Sequence, residues 1–532
     1  MTAALTGPLA LPRPDAPDFA GASSPAGTAD PVCASDPAGE PGPVGEPDHG
    51  GRVPVPLLFL VADTGGGHRA AARAVAQALH RDYPGAFAPV LCDPLGGPRA
   101  PALLRRVAGL YGPAIRCAPW LWGVIYHGCD SRPAVRLLRA TLLALADRPV
   151  VDAVARHRPA AVVSFHPLTG PAAARARDVA APRVPVVTVV TDLVNIHASW
   201  RPALATHALG ARAVRGTSGD HPARCDPASG RDATLGRDAA LGCGAGSGCD
   251  TGLGCEAMAD RGAGADRIVV PPTASRLPWP PGKSSPRRVD IGLPVAAEFA
   301  AGPPLPHERR ALRRALGLDE HRFLVLLTGG GEGAGGIGRR VAAILRQCDD
   351  VGVVALCGRN RGLRDNLAAL AARSAGRLIV RGFVENMAQW LRCADVVVGK
   401  AGPGTIAEAA CCGTPMLLTS HLPGQESGNI EVVVGAGAGR YVPTVRRLVR
   451  DLDVLRRDPA AIDAMRVAAA GLGRPGAAAD IAALLAGLAH VEIPAAAGRT
   501  GTSRTGTSRT GTRQRRGARE RGEEEPCASG ER

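Results

Sequence analysis

The sequence predicts an α/β protein made of two Rossmann-like, doubly wound domains that face each other across a cleft. Three observations carry this. Residues 55–61 and 323–327 are near-continuous apolar runs of the length of a buried parallel strand. Each run leads into a glycine-rich loop, Asp63-Thr64-Gly65-Gly66-Gly67-His68 in the first half and Thr328-Gly329-Gly330-Gly331-Glu332-Gly333 in the second, with a helical pattern beyond. The second half then repeats the unit, with residues 395–398 leading into Lys400-Ala401-Gly402-Pro403-Gly404-Thr405-Ile406-Ala407-Glu408. Strand, glycine turn and helix start together present backbone N–H groups and a positive helix end to a phosphate.

Taken in order, residues 1–52 are rich in Pro, Ala, Gly and Asp, have no periodicity, and read as disordered. Residues 53–290 form the first domain. Its opening helix puts Ala72, Val75, Ala76 and Leu79 on one face and Arg69, Arg73 and Gln77 on the other. Residues 101–145 interleave leucines, aromatics (Tyr111, Trp120, Trp122, Tyr126) and arginines. Such a segment either rests in a bilayer interface or forms helices packed on the core with a basic solvent face. Strands recur at 160–166 and 184–190, and polar residues follow the second: Asp192, Asn195, His197 and Trp200. Residues 212–288 lose periodicity except at 266–270 and read mostly as a flexible insertion. Residues 291–492 form the second domain, with strands at 353–357, 378–380, 396–398 and 416–418 and a closing helix near 477–490. The tail, 493–532, repeats Arg-Thr-Gly-Thr-Ser and reads as disordered.

Composition narrows the class of partner. The net charge of +15 suits an anionic partner, although part of it lies in the Arg-rich tail. Aromatics are only 3 %, and the tail's arginines stand among Thr and Gly without stacking rings, so specific nucleic-acid reading is not expected. The 14 cysteines make no disulfide framework, and Cys243, Cys249 and Cys255 lack the CxxC pairs of a zinc site. No run reaches the roughly 20 apolar residues of a membrane span, and the N-terminus has no signal-sequence pattern, so a cytoplasmic location is expected.

No glycine loop is a GxxxxGK[ST] phosphate loop, and none matches GxGxxG with its later acid, which argues against ATP hydrolysis and against NAD. One loop alone would be a tight turn; three in two domains point to a nucleotide diphosphate. Glu408 has two readings, the acid of a Thr405-x-x-Glu408 capping box or a carboxylate on a ribose. His68 follows three glycines at a helix N-terminus, whose dipole favours the neutral imidazole that a general base needs.

These residues resemble a family. Asp63 to Arg69, Ala118-Pro119-Trp120-Leu121-Trp122, Thr191-Asp192-Leu193, Lys400 to Ala409 and Gly424-Gln425-Glu426-Ser427-Gly428-Asn429 are similar to monogalactosyldiacylglycerol synthases. More distantly they are similar to other lipid glycosyltransferases of glycosyltransferase family 28, including the lipid II-forming N-acetylglucosaminyltransferase. The resemblance covers about residues 55–210 and 290–485. It implies a GT-B fold, with the acceptor site in the first domain and the nucleotide-sugar site in the second. It also implies an inverting transfer of a hexose from a UDP-sugar to a lipid hydroxyl, most simply diacylglycerol, with no cofactor and no metal. The enzyme would be peripheral on an anionic membrane surface, at the inner face of the cell membrane. By position, His68 would be the base, and Gly65, Gly66, Gly67, Trp120, Trp122 and Asp192 would lie on the acceptor side. Gly329, Gly330, Gly331, Lys400, Gly402, Gly404 and Thr405 would hold the diphosphate, Phe383 and Val384 the uracil, and Glu408 the ribose. Gln425, Glu426 and Asn429 would meet the sugar and phosphate.

Three other readings share parts of this pattern. A transferase of N-acetylglucosamine to another lipid-linked acceptor would use the same site. A UDP-N-acetylglucosamine epimerase of the same fold would need no Trp/Arg segment. A binding protein without catalysis would not need His68 with Glu408. The sugar, the acceptor lipid and the oligomeric state are open at this level.

Overall fold

The computed structural model describes residues 53–62, 67–200, 266–274 and 286–489. The two tails, most of the 212–288 insertion, Gly65 and Gly66 lie outside the described residues.

The first domain holds six strands: β1 (Val55–Leu60), β2 (Phe87–Cys92), β3 (Ala161–Ser164), β4 (Val186–Val189), β5 (Arg267–Val270) and β6 (Arg287–Asp290). They pair in parallel in the order β2-β1-β3-β4-β5-β6. The second domain holds β7 (Phe323–Thr328), β8 (Val351–Leu356), β9 (Leu378–Arg381), β10 (Val396–Lys400), β11 (Met416–Ser420) and β12 (Gly439–Tyr441). These are again parallel, in the order β12-β11-β10-β7-β8-β9. The strand order reverses between β1 and β3 in one sheet and between β7 and β10 in the other. At such a reversal, neighbouring strands send their crossovers to opposite faces, and a crevice opens beyond the carboxyl ends. All three glycine loops lead out of strands that flank these two points.

The interior strands match their sequence signal because both of their faces are covered; every residue of β8 is buried. The strands that the sequence did not announce are all at edges. β2 carries Pro89, β6 reads Arg-Arg-Val-Asp, and β12 has only three residues. An edge strand has one free ladder and less to bury, so proline and charge are tolerated there.

The closing helix, Ala477–Leu488, was placed in sequence order with the second domain, but it packs into the core of the first. Ile481 and Leu485 join the cluster built on Leu57, Phe59, Val75 and Leu79. Alanines on both contact faces (Ala71, Ala74 and Ala78 against Ala478, Ala482 and Ala486) let this helix lie close to the helix Gly67–Asp82.

Candidate active site

In the second domain the two glycine turns meet at one cation. Lys400 ends β10, and its ammonium donates to Glu426. A Cβ built on Gly402 would lie 3.0 Å from the Lys400 Nζ, and one on Gly330 would lie 3.9 Å from its Cε. Gly330 itself needs glycine, with φ at +67°. The helices Ile337–Gln347 and Pro403–Cys411 begin here at Gly336 and Gly402, and neither has a side-chain cap. Their first N–H groups are thus left for another acceptor. Gly404 lies in the first turn of the second helix.

The N-cap at Gly402 also removes the capping-box reading of Thr405 and Glu408. Both residues sit inside the helix, too late to cap it. Burial, with Glu298 nearby, pushes the Glu408 carboxyl up to about 8, so it is protonated at neutral pH.

The loop after β11 and the first turn of the helix Ser427–Gly435 that follows supply three polar side chains. Glu426 is buried; one of its oxygens takes Lys400, and the other accepts the Leu422 N–H at 2.8 Å. Asn429 donates through Nδ2 to the Ala401 carbonyl at 2.8 Å, and Gln425 through Nε2 to Asp192 at 3.2 Å. These contacts orient both amides. They leave Asn429 Oδ1 and Gln425 Oε1 buried with no hydrogen-bond partner among the described residues. A buried acceptor without a donor costs about 1–3 kcal/mol, so the pair is a standing demand for O–H or N–H groups.

Phe383 is exposed, with the Arg359 guanidinium 5.9 Å from its ring centroid, and Val384 packs against the core beneath. Arg359 escaped the sequence reading. Its N–H donates to the Gly331 carbonyl at 2.8 Å and its side chain pairs with Glu332 at 3.1 Å, so it lies between the first turn and Phe383. Its only signal is its place just past the carboxyl end of β8, where parallel sheets carry ligand residues.

In the first domain, His68 is in the first turn of the helix that begins at Gly67. Its Nδ1 lies 2.9 Å from the Phe165 carbonyl and 2.7 Å from the Thr191 hydroxyl. A carbonyl only accepts, so Nδ1 carries the proton and Nε2 the lone pair. Burial pushes the imidazole down to about 4, so it is neutral at working pH. The His166 ring stands edge-on at 4.5 Å and Trp200 lies at 6.3 Å. Trp200 donates to the second Asp192 oxygen at 2.6 Å, and burial raises the Asp192 carboxyl to about 6. Sequence reasoning missed His166, which closes an apolar run and looks like core.

The Asp192–Gln425 bond joins the carboxyl ends of the two sheets across the cleft. The two tryptophans of the segment 118–122 part company. Trp120 is 67 % exposed, beside Val124 and Ile125, and Leu103, Val107 and Leu110 of the preceding helix are exposed as well. Trp122 turns inward, edge-on to Tyr111 at 4.9 Å, with its indole N–H buried and unpaired among the described residues.

Two facing Rossmann-like domains, with a cation between glycine turns on one side and a neutral histidine on the other, make a GT-B fold, and the family models that match the chain are those of glycosyltransferases. Residues 324–469 match the family model "Glycosyltransferase family 28 C-terminal domain", and residues 68–210 match "Monogalactosyldiacylglycerol (MGDG) synthase". The probable monogalactosyldiacylglycerol synthase 2 of Oryza sativa subsp. indica is 30 % identical over 421 residues, covering 76 % of each chain. The spinach (Spinacia oleracea) monogalactosyldiacylglycerol synthase is 27 % identical over 407 residues, 75 % of this chain and 65 % of that one. The chain belongs to the monogalactosyldiacylglycerol synthase family. Among solved structures, Acinetobacter baumannii MurG aligns over 81 % of this chain and 99 % of its own, at 16 % identity and a TM-score of 0.45.

Proposed function

We propose that the protein transfers a hexose from a UDP-sugar to a lipid hydroxyl, diacylglycerol being the acceptor, with inversion and without a metal, while resting on the cytoplasmic face of a membrane. The observation that carries this reading is the division of the cleft into donors and acceptors. Lys400 and the uncapped helix starts offer positive charge and N–H groups, which suit a diphosphate. The unpaired Gln425 and Asn429 oxygens require hydrogen-bond donors, which a phosphate lacks and sugar hydroxyls supply. Phe383 and Val384 would take the uracil, and the neutral Glu408 acid, which can both donate and accept, would take the ribose hydroxyls.

In the reaction, His68 Nε2 takes the proton of the acceptor hydroxyl as its oxygen attacks the anomeric carbon. The bond from that carbon to the phosphate oxygen breaks on the opposite side, and UDP leaves with the electron pair. Charge developing on the diphosphate falls on Lys400 and on N–H groups fixed before the reaction starts, which is how an enzyme site stabilises a leaving group without reorganising. The relatives named as monogalactosyldiacylglycerol synthases support galactose as the sugar and diacylglycerol as the acceptor.

The test is UDP release from UDP-galactose, UDP-glucose and UDP-N-acetylglucosamine, with and without diacylglycerol in anionic vesicles and with and without EDTA. Lipid-dependent, EDTA-insensitive release with a hexose donor is expected. No lipid-dependent release with any donor, despite tight UDP binding, would move the assignment to a different acceptor or to an epimerase, which interconverts UDP-sugars and frees no UDP. Among the described residues no helix is long and apolar enough to cross a membrane. The exposed face of the helices Ala102–Cys117 and Pro119–Cys129 would therefore make the lipid contact. Trp120→Glu is expected to weaken vesicle flotation at least tenfold, since a ring at the interface is replaced by a charge, while UDP still binds.

A further inference from the structure

The loop that carries Gln425 and Glu426 into the cleft is seated on the helix whose other face is the proposed lipid contact. Pro423 lies against the helix Pro119–Cys129 so closely that a Cβ built on Gly123 would be 2.7 Å from the Pro423 Cβ. Gly424, at φ +82°, lies under the Tyr126 ring, where a side chain could not fit. Asn195 joins the two. Its Nδ2 donates to the Gly424 carbonyl, and its own carbonyl accepts the Tyr126 hydroxyl at 3.1 Å. Its Oδ1 also faces Gly428, where a Cβ would come within 2.6 Å. Gly123 and Tyr126, three apart, form the inward face of the helix, while Trp120 and Val124, four apart, point outward.

We propose that Asn195 and Tyr126 are positioning residues that tie the donor loop, 422–428, to the lipid-facing helix, so that docking on a bilayer orders the loop and raises affinity for the nucleotide sugar. This rests on the reading of that helix as the membrane contact. The physical basis is linkage. An 11-residue helix with one apolar face in water is marginal by itself. Lipid that covers this face stabilises the seated helix, and whatever favours the seated helix favours the loop bound to it.

The experiment uses the full chain with 7:3 phosphatidylcholine:phosphatidylglycerol vesicles. It reads amide exchange over residues 421–430, UDP affinity by calorimetry, and vesicle flotation. In the wild type, vesicles are expected to slow exchange in this segment and to tighten UDP binding at least about fivefold, the lower end of ordinary coupling. Asn195→Ala is expected to float as well as the wild type and to lose both effects. Gly123→Ala serves as the second variant. Alanine is the better helix residue, and its methyl wedges Pro423 away while the outer face stays intact. Coupling that persists in both variants would overturn the proposal, as would a wild type that floats, binds UDP and transfers sugar with exchange over 421–430 unchanged. A wild type that neither floats nor binds UDP would overturn the proposal together with the function it rests on.

Discussion

Replacing His68 with alanine is expected to lower kcat by about 10³-fold, the scale of a lost general base, while UDP binds with unchanged affinity. Calorimetry with UDP and the UDP-release assay on the same preparation check both halves. The separation is expected because His68 belongs to the first domain and the diphosphate groups belong to the second. The pH profile adds a second readout. Burial holds the His68 imidazole at about 4, below its ordinary 6.5, so the unprotonated base is the main form at every pH above that value. The acid limb of kcat/KM is therefore expected near pH 4 rather than near 6.5. Asp192, raised to about 6 by burial, also titrates in this range. A limb near 6 that disappears in Asp192→Asn would belong to that carboxylate and would mean that its ionised form holds the Trp200 and Gln425 contacts in the working enzyme.

Replacing Lys400 with methionine is expected to damage stability and turnover together. Glu426 is 2 % exposed and has Lys400 as its cationic partner. Lys400 is 25 % exposed, so solvent screens part of the loss, but removing it still leaves the buried Glu426 carboxylate without its cation, at a cost of up to about 3 kcal/mol that denaturant unfolding would record. The same substitution removes the cation nearest both glycine turns. A loss of about 10²-fold or more in kcat/KM is expected from the missing leaving-group stabilisation. Lys400→Arg separates the two effects, because it keeps the charge for Glu426 but puts a planar fork where Gly402 leaves room for a compact ammonium. Stability near that of the wild type with kcat/KM still reduced is the expected outcome.

Much of this was legible in the sequence, for reasons that differ by element. Interior strands such as β8 announce themselves because burial on two faces demands unbroken apolarity. The edges β2, β6 and β12 carry no such demand and left no signal. The glycine turns and His68 were visible because phosphate contact and helix starts restrict which residues can stand there. Arg359 and His166 were not, since each acquires its position only when separate strands are brought side by side. The capping-box reading of Thr405 and Glu408 failed for a related reason. The motif fixes a spacing, but Gly402, two residues before Gly404, is where the backbone enters the helix. Trp120 and Trp122 are nearly adjacent in sequence, and only the helix separates one for the surface and one for the interior.

The helix Ala477–Leu488 bears on the order of events during synthesis. Its partners, Ala71, Ala74, Val75 and Leu79, emerge from the ribosome about four hundred residues before it does, given its position in the chain. Until it arrives, the first domain has an apolar flank open to water and to any passing chaperone. The core of the amino-terminal half is thus completed only after the carboxyl-terminal half has been made.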